Sequence, residues 1–224
     1  MGSLDRLKLM LNDNDINKLV KANVLLVGVG GVGGSALEML IRSGINNITI
    51  IDFDVFEESN LNRQILCTRS DIGKYKVDVA KERCLSINPN LNIKIINRKL
   101  DDYLINELSY YDYIIDACDD LNAKILLVKY ALDNNIKIVS SCGTGNRLDP
   151  SKLYITNIWK TENDPLAKKF RSLLRKEKIS YKLPVVTSKE TPLIKGTIVA
   201  SIATVPNTAG IYLANYVIKD IINK

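Results

Sequence analysis

The sequence predicts an α/β protein: a doubly wound, Rossmann-like and mostly parallel sheet, with helices on both faces and a C-terminal extension. Three observations carry that expectation. Short apolar runs bounded by turn residues alternate with helical stripes over the first two thirds of the chain, the pattern of repeated strand–helix units. The first run, Val24-Leu25-Leu26-Val27, leads directly into Gly28-Val29-Gly30-Gly31-Val32-Gly33 and then a helix-forming stretch. The second, Asn47–Ile51, ends at Asp52. That is about twenty residues past the last loop glycine, where a dinucleotide-type fold sets a carboxylate on a ribose hydroxyl.

A glycine loop between strand and helix suits phosphate. The absence of side chains lets the backbone approach closely, and the helix start offers free N–H groups and the positive end of its dipole. With 224 residues the chain can bury one substantial core. A helical arm over 1–20, a nucleotide-binding core over 21–145 and a C-terminal part over 146–224 packed on the same domain are expected.

In the arm, Leu4, Leu7, Met10, Leu11, Ile16, Leu19 and Val20 have the spacing of short amphipathic helices, with Arg6 in the first. After Asp52, the polar run Phe53–Gln64 lacks both strand alternation and helical spacing. It reads as a structured loop at the carboxyl edge of the sheet, where open α/β folds bind ligands. A helical stripe from Val77 to Ile87 stops at Asn88-Pro89-Asn90, and strand Ile93–Ile96 follows. A short helix near Tyr103–Leu108, strand Tyr113–Asp116, helix Leu121–Asn134 and strand Lys137–Ser141 complete the alternation.

Beyond Pro150 a strand is expected over 152–157, and Asp164-Pro165 opens a helix. That helix sets Lys168, Lys169, Arg171, Arg175, Lys176 and Lys178 against the single acid Glu177, an imbalance that suits RNA. Residues 180–196 read as a loop or crossover. Ile198–Ile222 reads as a packed terminal helix rather than a membrane span, because Pro206, Asn207, Asn215 and Lys219 interrupt its apolar character.

Composition narrows the chemistry. The chain has no histidine, which excludes His-based triads, proton relays and His metal ligands. Cys67, Cys84, Cys118 and Cys142 form no CxxC pair, so neither a zinc clamp nor a disulfide framework is expected, and each reads as a small buried residue. The formal charge of +6 favours a polyanionic partner. No signal-peptide pattern opens the sequence, which points to a cytoplasmic location.

Six separated motifs coincide: Gly28-x-Gly30-Gly31-x-Gly33, Asp52-x-Asp54, Asn60-x-Asn62-Arg63-Gln64, Gly73-x-x-Lys76, Asn88-Pro89 and Asp116-x-x-Asp119. In order and spacing they resemble the superfamily of ThiF, MoeB, HesA and the ubiquitin-activating enzymes. The resemblance implies ATP-dependent adenylation of a carboxylate by a homodimer or pseudo-dimer. Lys160-Thr161-x-x-Asp164-Pro165-Leu166-Ala167, Val185-Val186-x-Ser188-x-Glu190-x-Pro192 and Val205-Pro206-x-x-Ala209-Gly210 are similar to the tRNA threonylcarbamoyladenosine dehydratases within it. Members of that family adenylate the threonyl carboxylate of a modified adenosine beside the tRNA anticodon and let it cyclise.

Carried over by position, the resemblance makes Gly28, Gly30, Gly31 and Gly33 the phosphate loop and Asp52 the ribose ligand. Asn62, Arg63 and Lys76 would contact the ATP phosphates, and Asp54, Asn60 and Gln64 would complete the nucleotide set. Asp119 would hold Mg2+, with capping of the Leu121–Asn134 helix as its alternative role. Arg6 would reach a neighbouring subunit's phosphates. A sulfur-relay protein is a further partner that the superfamily implies. The competing reading is a ThiF- or MoeB-type adenylyltransferase that activates the Gly-Gly end of a small sulfur carrier. A third, an NAD-dependent or inert nucleotide module, leaves Arg63, Lys76 and Asp119 unexplained.

Overall fold

The computed structural model describes residues 2–194 and 199–223. Seven strands form one sheet: β1 (Asn23–Val27), β2 (Asn47–Ile51), β3 (Asn92–Ile96), β4 (Tyr113–Asp116), β5 (Lys137–Ser141), β6 (Leu153–Asn157) and β7 (Pro184–Ser188), in the order β3-β2-β1-β4-β5-β7-β6. All neighbours are parallel except β6 and β7. The doubly wound, mostly parallel α/β fold is therefore as expected.

Strand order fixes where a ligand can sit. From β1 the chain winds outward through β2 and β3, then returns to β4 on the other side of β1, so the β1/β4 boundary is the topological switch point. β1 is apolar on both faces, as a central parallel strand must be: Val24, Leu25 and Leu26 are fully buried.

Eight α-helices are among the described residues. Helices α2 (Asp13–Lys21), α3 (Gly31–Arg42), α4 (Lys76–Ile87) and α8 (Thr204–Ile221) contribute to a core on one face. Helices α5 (Asp102–Glu107), α6 (Leu121–Asp133) and α7 (Pro165–Lys176) contribute to a core on the other. The short α1 (Asp5–Lys8) brings Leu4 and Leu7 against Gly44, at the end of α3 remote from the glycine loop.

Two expectations are corrected. The 180–196 stretch is not all loop, because β7 lies inside it and slots between β5 and β6. Its signal is short: Val185 and Val186 are the only fully buried apolar positions, Pro184 occupies the first position, which needs no interior ladder donor, and Thr187 and Ser188 are buried but polar. The terminal helix begins at Thr204 rather than Ile198, and Ile198 and Gly196 lie outside the described residues. No described helix is long and apolar enough to cross a membrane.

Helix α8 crosses α3 at backbone distance. A Cβ at Gly210 would sit 2.1 Å from the carbonyl oxygen of Val32. Gly210→Val should destabilise the chain by about 2 kcal/mol or more through forced separation of the helices. Urea denaturation reads this as a lower midpoint, and an unchanged midpoint would show that the crossing has slack.

Candidate nucleotide site

The carboxyl ends of β1, β2, β4 and β5 open onto one cleft of about 1800 Å³. That exceeds the 300–1,000 Å³ typical of a single small-ligand pocket, so there is room for a nucleotide and a second reactant.

At the nucleotide end, Gly28 leaves β1 with φ +89, and a Cβ there would lie 2.8 Å from the carbonyl oxygen of Ala117. Only glycine fits both constraints. Helix α3 then starts behind Gly30 with no side-chain cap, so its first N–H groups face the cleft for an anion. Gly28, Gly30 and Gly31 line the cleft. Gly33 does not, and packs instead against the Gly28 carbonyl.

Asp52 organises this loop. Its Oδ2 accepts the Val29 N–H at 2.8 Å and its Oδ1 the Asp54 N–H at 2.9 Å. Burial pushes the carboxyl above its ordinary range, and the two N–H donors partly offset that. Each oxygen retains accepting capacity for a hydroxyl. Lys76, at the start of α4, is buried and its Nζ meets Asp54 Oδ2 at 2.8 Å, so an ion pair lies on the cleft wall.

The 57–64 turn presents the next group. Asn60 is buried and accepts the Glu57 N–H, which shapes the turn while it still lines the cleft. Arg63 Nη1 donates to Ser59 O at 2.8 Å and to Asn62 Oδ1 at 2.9 Å. Its Nε and Nη2 have no partner among the described residues and remain available to phosphate. Asn62 is not on the cleft wall; its Nδ2 instead holds Ser201 O at 3.0 Å. Gln64 lines the cleft, and its buried Oε1 has no partner among the described residues.

Beyond β4, neighbouring acids divide the work. Asp120, not Asp119, caps α6 by accepting the Asn122 N–H at 2.8 Å, and it pairs with Lys99 at 3.0 Å. This corrects the capping alternative for Asp119. Asp119 stands exposed on the cleft wall with no hydrogen bond or ion pair among the described residues. Such a free carboxylate fits magnesium, which takes one or two protein carboxylates beside substrate phosphates rather than a full protein cage.

The cysteines offer no poised nucleophile. Cys67, Cys84 and Cys142 are buried. Burial pushes Cys84 up to about 12 and Cys142 higher still, and Cys118, half-buried beside the cleft, is also driven far up by burial and by Asp116.

The far end of the cleft comes from the Gly143–Arg147 loop after β5, the start of α7 and the 191–194 segment. Sequence reasoning missed Arg147, which is buried and donates to Gly143 O at 2.8 Å and Asn163 O at 3.0 Å. The signal was the Gly143-x-Gly145 turn at a strand's carboxyl end. Asp164 caps α7 through Ala167 N–H and also accepts Gly143 N–H and the Thr187 hydroxyl, tying the helix to the sheet. Lys168 and Lys169 stand exposed at this end. Arg171, expected on the same basic face, is turned inward to the carbonyls of Ile158 and Thr161. Arg6 is exposed on α1, at the other end of a twelve-residue helix and thus on the order of 18 Å from the loop. Within one chain it does not reach the cleft.

A doubly wound sheet with an uncapped glycine loop, a ribose-type carboxylate and free arginine nitrogens at its switch point defines a nucleotide-binding α/β protein. A model of the ThiF family matches residues 4–224, and the chain belongs to that family. It is 33% identical over 242 residues to the tRNA threonylcarbamoyladenosine dehydratase of Bacillus subtilis, covering 99% of this chain and 95% of that one. To the Haemophilus influenzae protein of the same name it is 38% identical over 170 residues, 73% of this chain and 64% of that one. Crystal structures of the Escherichia coli tRNA N6-threonylcarbamoyladenosine dehydratase, TcdA, with AMP and with ATP superpose with a TM-score of 0.91 at 29% and 30% identity. Each covers 96% of this chain and 92% of that one.

The division between Asp119 and Asp120 is testable. Asp120→Ala should cost about 1 kcal/mol of stability by loss of the cap. Asp119→Ala should leave the melting temperature unchanged and weaken magnesium-dependent ATP binding, measured by calorimetry. The opposite assignment would show the two effects exchanged.

Proposed function

We propose that this chain is an ATP-dependent dehydratase that adenylates the threonyl carboxylate of N6-threonylcarbamoyladenosine in tRNA and lets it cyclise, releasing AMP and pyrophosphate. The single observation that carries this reading is the cleft itself. It has a nucleotide end built from Gly28, Asp52, Arg63, Lys76 and Asp119, continuous with a second end beneath Lys168 and Lys169. Family membership and the names of the most similar relatives support it.

A carboxylate resists attack because it is already negative and its leaving group would be oxide. Joining it to AMP removes both obstacles. A threonyl carboxylate oxygen attacks the α-phosphorus, the bond to the bridging oxygen breaks, and pyrophosphate leaves. Anion approaches anion in that step, and Arg63 and Lys76 offset the repulsion, with Arg63 suited to a two-point grip on phosphate oxygens. Asp119 would hold magnesium, whose charge when bound to ATP further screens the departing pyrophosphate. The carbamoyl group then attacks the activated carbonyl, AMP leaves with one carboxylate oxygen, and the carbamoyl N–H proton is released to water. Both groups sit on the same modified nucleoside, so the effective molarity reaches about 10⁵ M or more and no enzyme nucleophile is needed. The high thiol pKa values and the absence of histidine accord with this.

The exposed basic side of α7 is assigned to tRNA. A homodimer, a cytoplasmic location and contact with a sulfur-relay protein belong to the same proposal, and Arg6 serves the site of the second subunit. A sulfur-carrier activator is disfavoured, because the Bacillus subtilis relative, which matches 99% of this chain, carries the dehydratase name.

Arg63→Ala and Lys76→Ala should each lower AMP formation at least a hundredfold with the fold retained, measured by turnover with ATP, magnesium and modified tRNA. Normal turnover in either would remove that residue from the site. Reversal of Lys168 and Lys169 to Glu should weaken tRNA binding and flatten its salt dependence; an unchanged salt series would place the RNA elsewhere. Mixing Arg6→Ala with Arg63→Ala subunits should restore part of the activity lost in each, and no recovery would argue against a shared site.

A further inference from the structure

Beneath the cleft floor lies a charged pair that the reaction itself does not use. Lys124, on α6, and Asp116, at the end of β4, have fully buried side chains. Lys124 Nζ donates to Asp116 Oδ2 at 2.9 Å, to Ser140 Oγ at 3.2 Å and to Ser141 O at 2.8 Å, so all three ammonium protons are satisfied. Its fourth neighbour is the Phe170 ring of α7, with the ammonium 5.8 Å from the ring centre. The remaining Asp116 oxygen accepts the Cys118 N–H at 3.3 Å and the Cys118 thiol at 3.0 Å.

A buried ion pair is a poor source of stability, because desolvating two charges offsets most of their attraction, and an apolar pair would pack as well. Its position is more informative. Asp116 holds the Ala117-Cys118 turn from behind, and in front the same turn meets Gly28, whose missing Cβ leaves room for the Ala117 carbonyl. The turn then delivers Asp119 to the cleft. On its other side Lys124 fixes the Ser141 carbonyl, one residue before the Cys142–Arg147 segment that lines the far end.

We infer that Lys124 is a positioning residue: through Asp116 it fixes the 116–120 turn, and so sets the placement of Asp119 against the phosphate loop. The inference rests on the proposed adenylation site for its purpose, but its readout is nucleotide binding and does not require turnover. Lys124 touches neither substrate.

The test compares the full-length wild type with Lys124→Met, the neutralised pair Asp116→Asn/Lys124→Met, and the milder Ser140→Ala, which removes one acceptor from Lys124 and one hydroxyl donor from Asp116. Circular dichroism and melting establish folding. Calorimetry then measures affinity for a non-hydrolysable ATP analogue with and without magnesium, and for AMP, while hydrogen exchange follows the amides of 117–123. In the folded double variant the gain in affinity from magnesium should fall about tenfold, AMP affinity should change less than twofold, and the 117–123 amides should exchange faster. Ser140→Ala should shift the same two quantities in the same direction by a few-fold, which keeps the inference testable if the Lys124 variants do not fold.

A purely structural pair would lower the melting temperature and leave the magnesium gain and the local exchange intact, and that outcome overturns the inference. So does a wild type with no magnesium gain. Absence of AMP formation from modified tRNA by the wild type would instead refute the proposed reaction, leaving the binding comparison to decide the role of Lys124.

Discussion

The contact on which the site depends is the one between Gly28 and the Ala117 carbonyl. It locks the carboxyl ends of β1 and β4 together at the switch point, where two oppositely wound halves of the sheet part. A side chain at Gly28 would clash with that carbonyl and strain the left-handed backbone at once. With the contact in place, helix α3 starts at the cleft with open N–H groups, and the β4 turn projects Asp119 toward the same space. Glycine loop and candidate metal ligand are thus set by one packing constraint.

Charge is organised around that geometry in layers. Lys76 faces the cleft held in place by Asp54, and Arg63 is held by a backbone carbonyl and Asn62 with part of its guanidinium free. Positive groups fixed in this way need little rearrangement when a polyanion arrives, the condition under which electrostatic stabilisation is most effective. Deeper down, Lys124 and Asp116 cancel each other, so their effect on the site is mechanical. At the far end, Asp164 joins the basic helix to the β5 loop and to β7, and the surface that presents Lys168 and Lys169 is coupled to the sheet rather than hung on a linker.

The sequence made the inner sheet and the nucleotide end legible because their signals are local. A continuous apolar strand, a glycine loop and a carboxylate at the next strand end lie close together in the chain. β7 was not legible, since half of its buried residues are polar and its partners β5 and β6 are distant in sequence. Asp119 and Asp120 differ in role by one position, which only the φ and ψ of the turn decide. Arg171 reads as part of a basic helix face, yet tertiary packing turns it toward backbone carbonyls, and nothing local in the sequence marks Lys124 as the buried charge it is. Asn62 and Gly33 belong to the motifs that carry the family resemblance, but within the fold they hold neighbours in place instead of facing the cleft.

The central claim is that an acid oxygen attacks the α-phosphorus of ATP at this cleft, and the fate of that oxygen tests it. With the threonyl carboxylate of the modified tRNA carrying heavy oxygen, one turnover should leave one labelled oxygen in the AMP released and the other in the cyclised nucleoside. Label found in inorganic phosphate, or AMP free of label beside a cyclised product, would contradict the account.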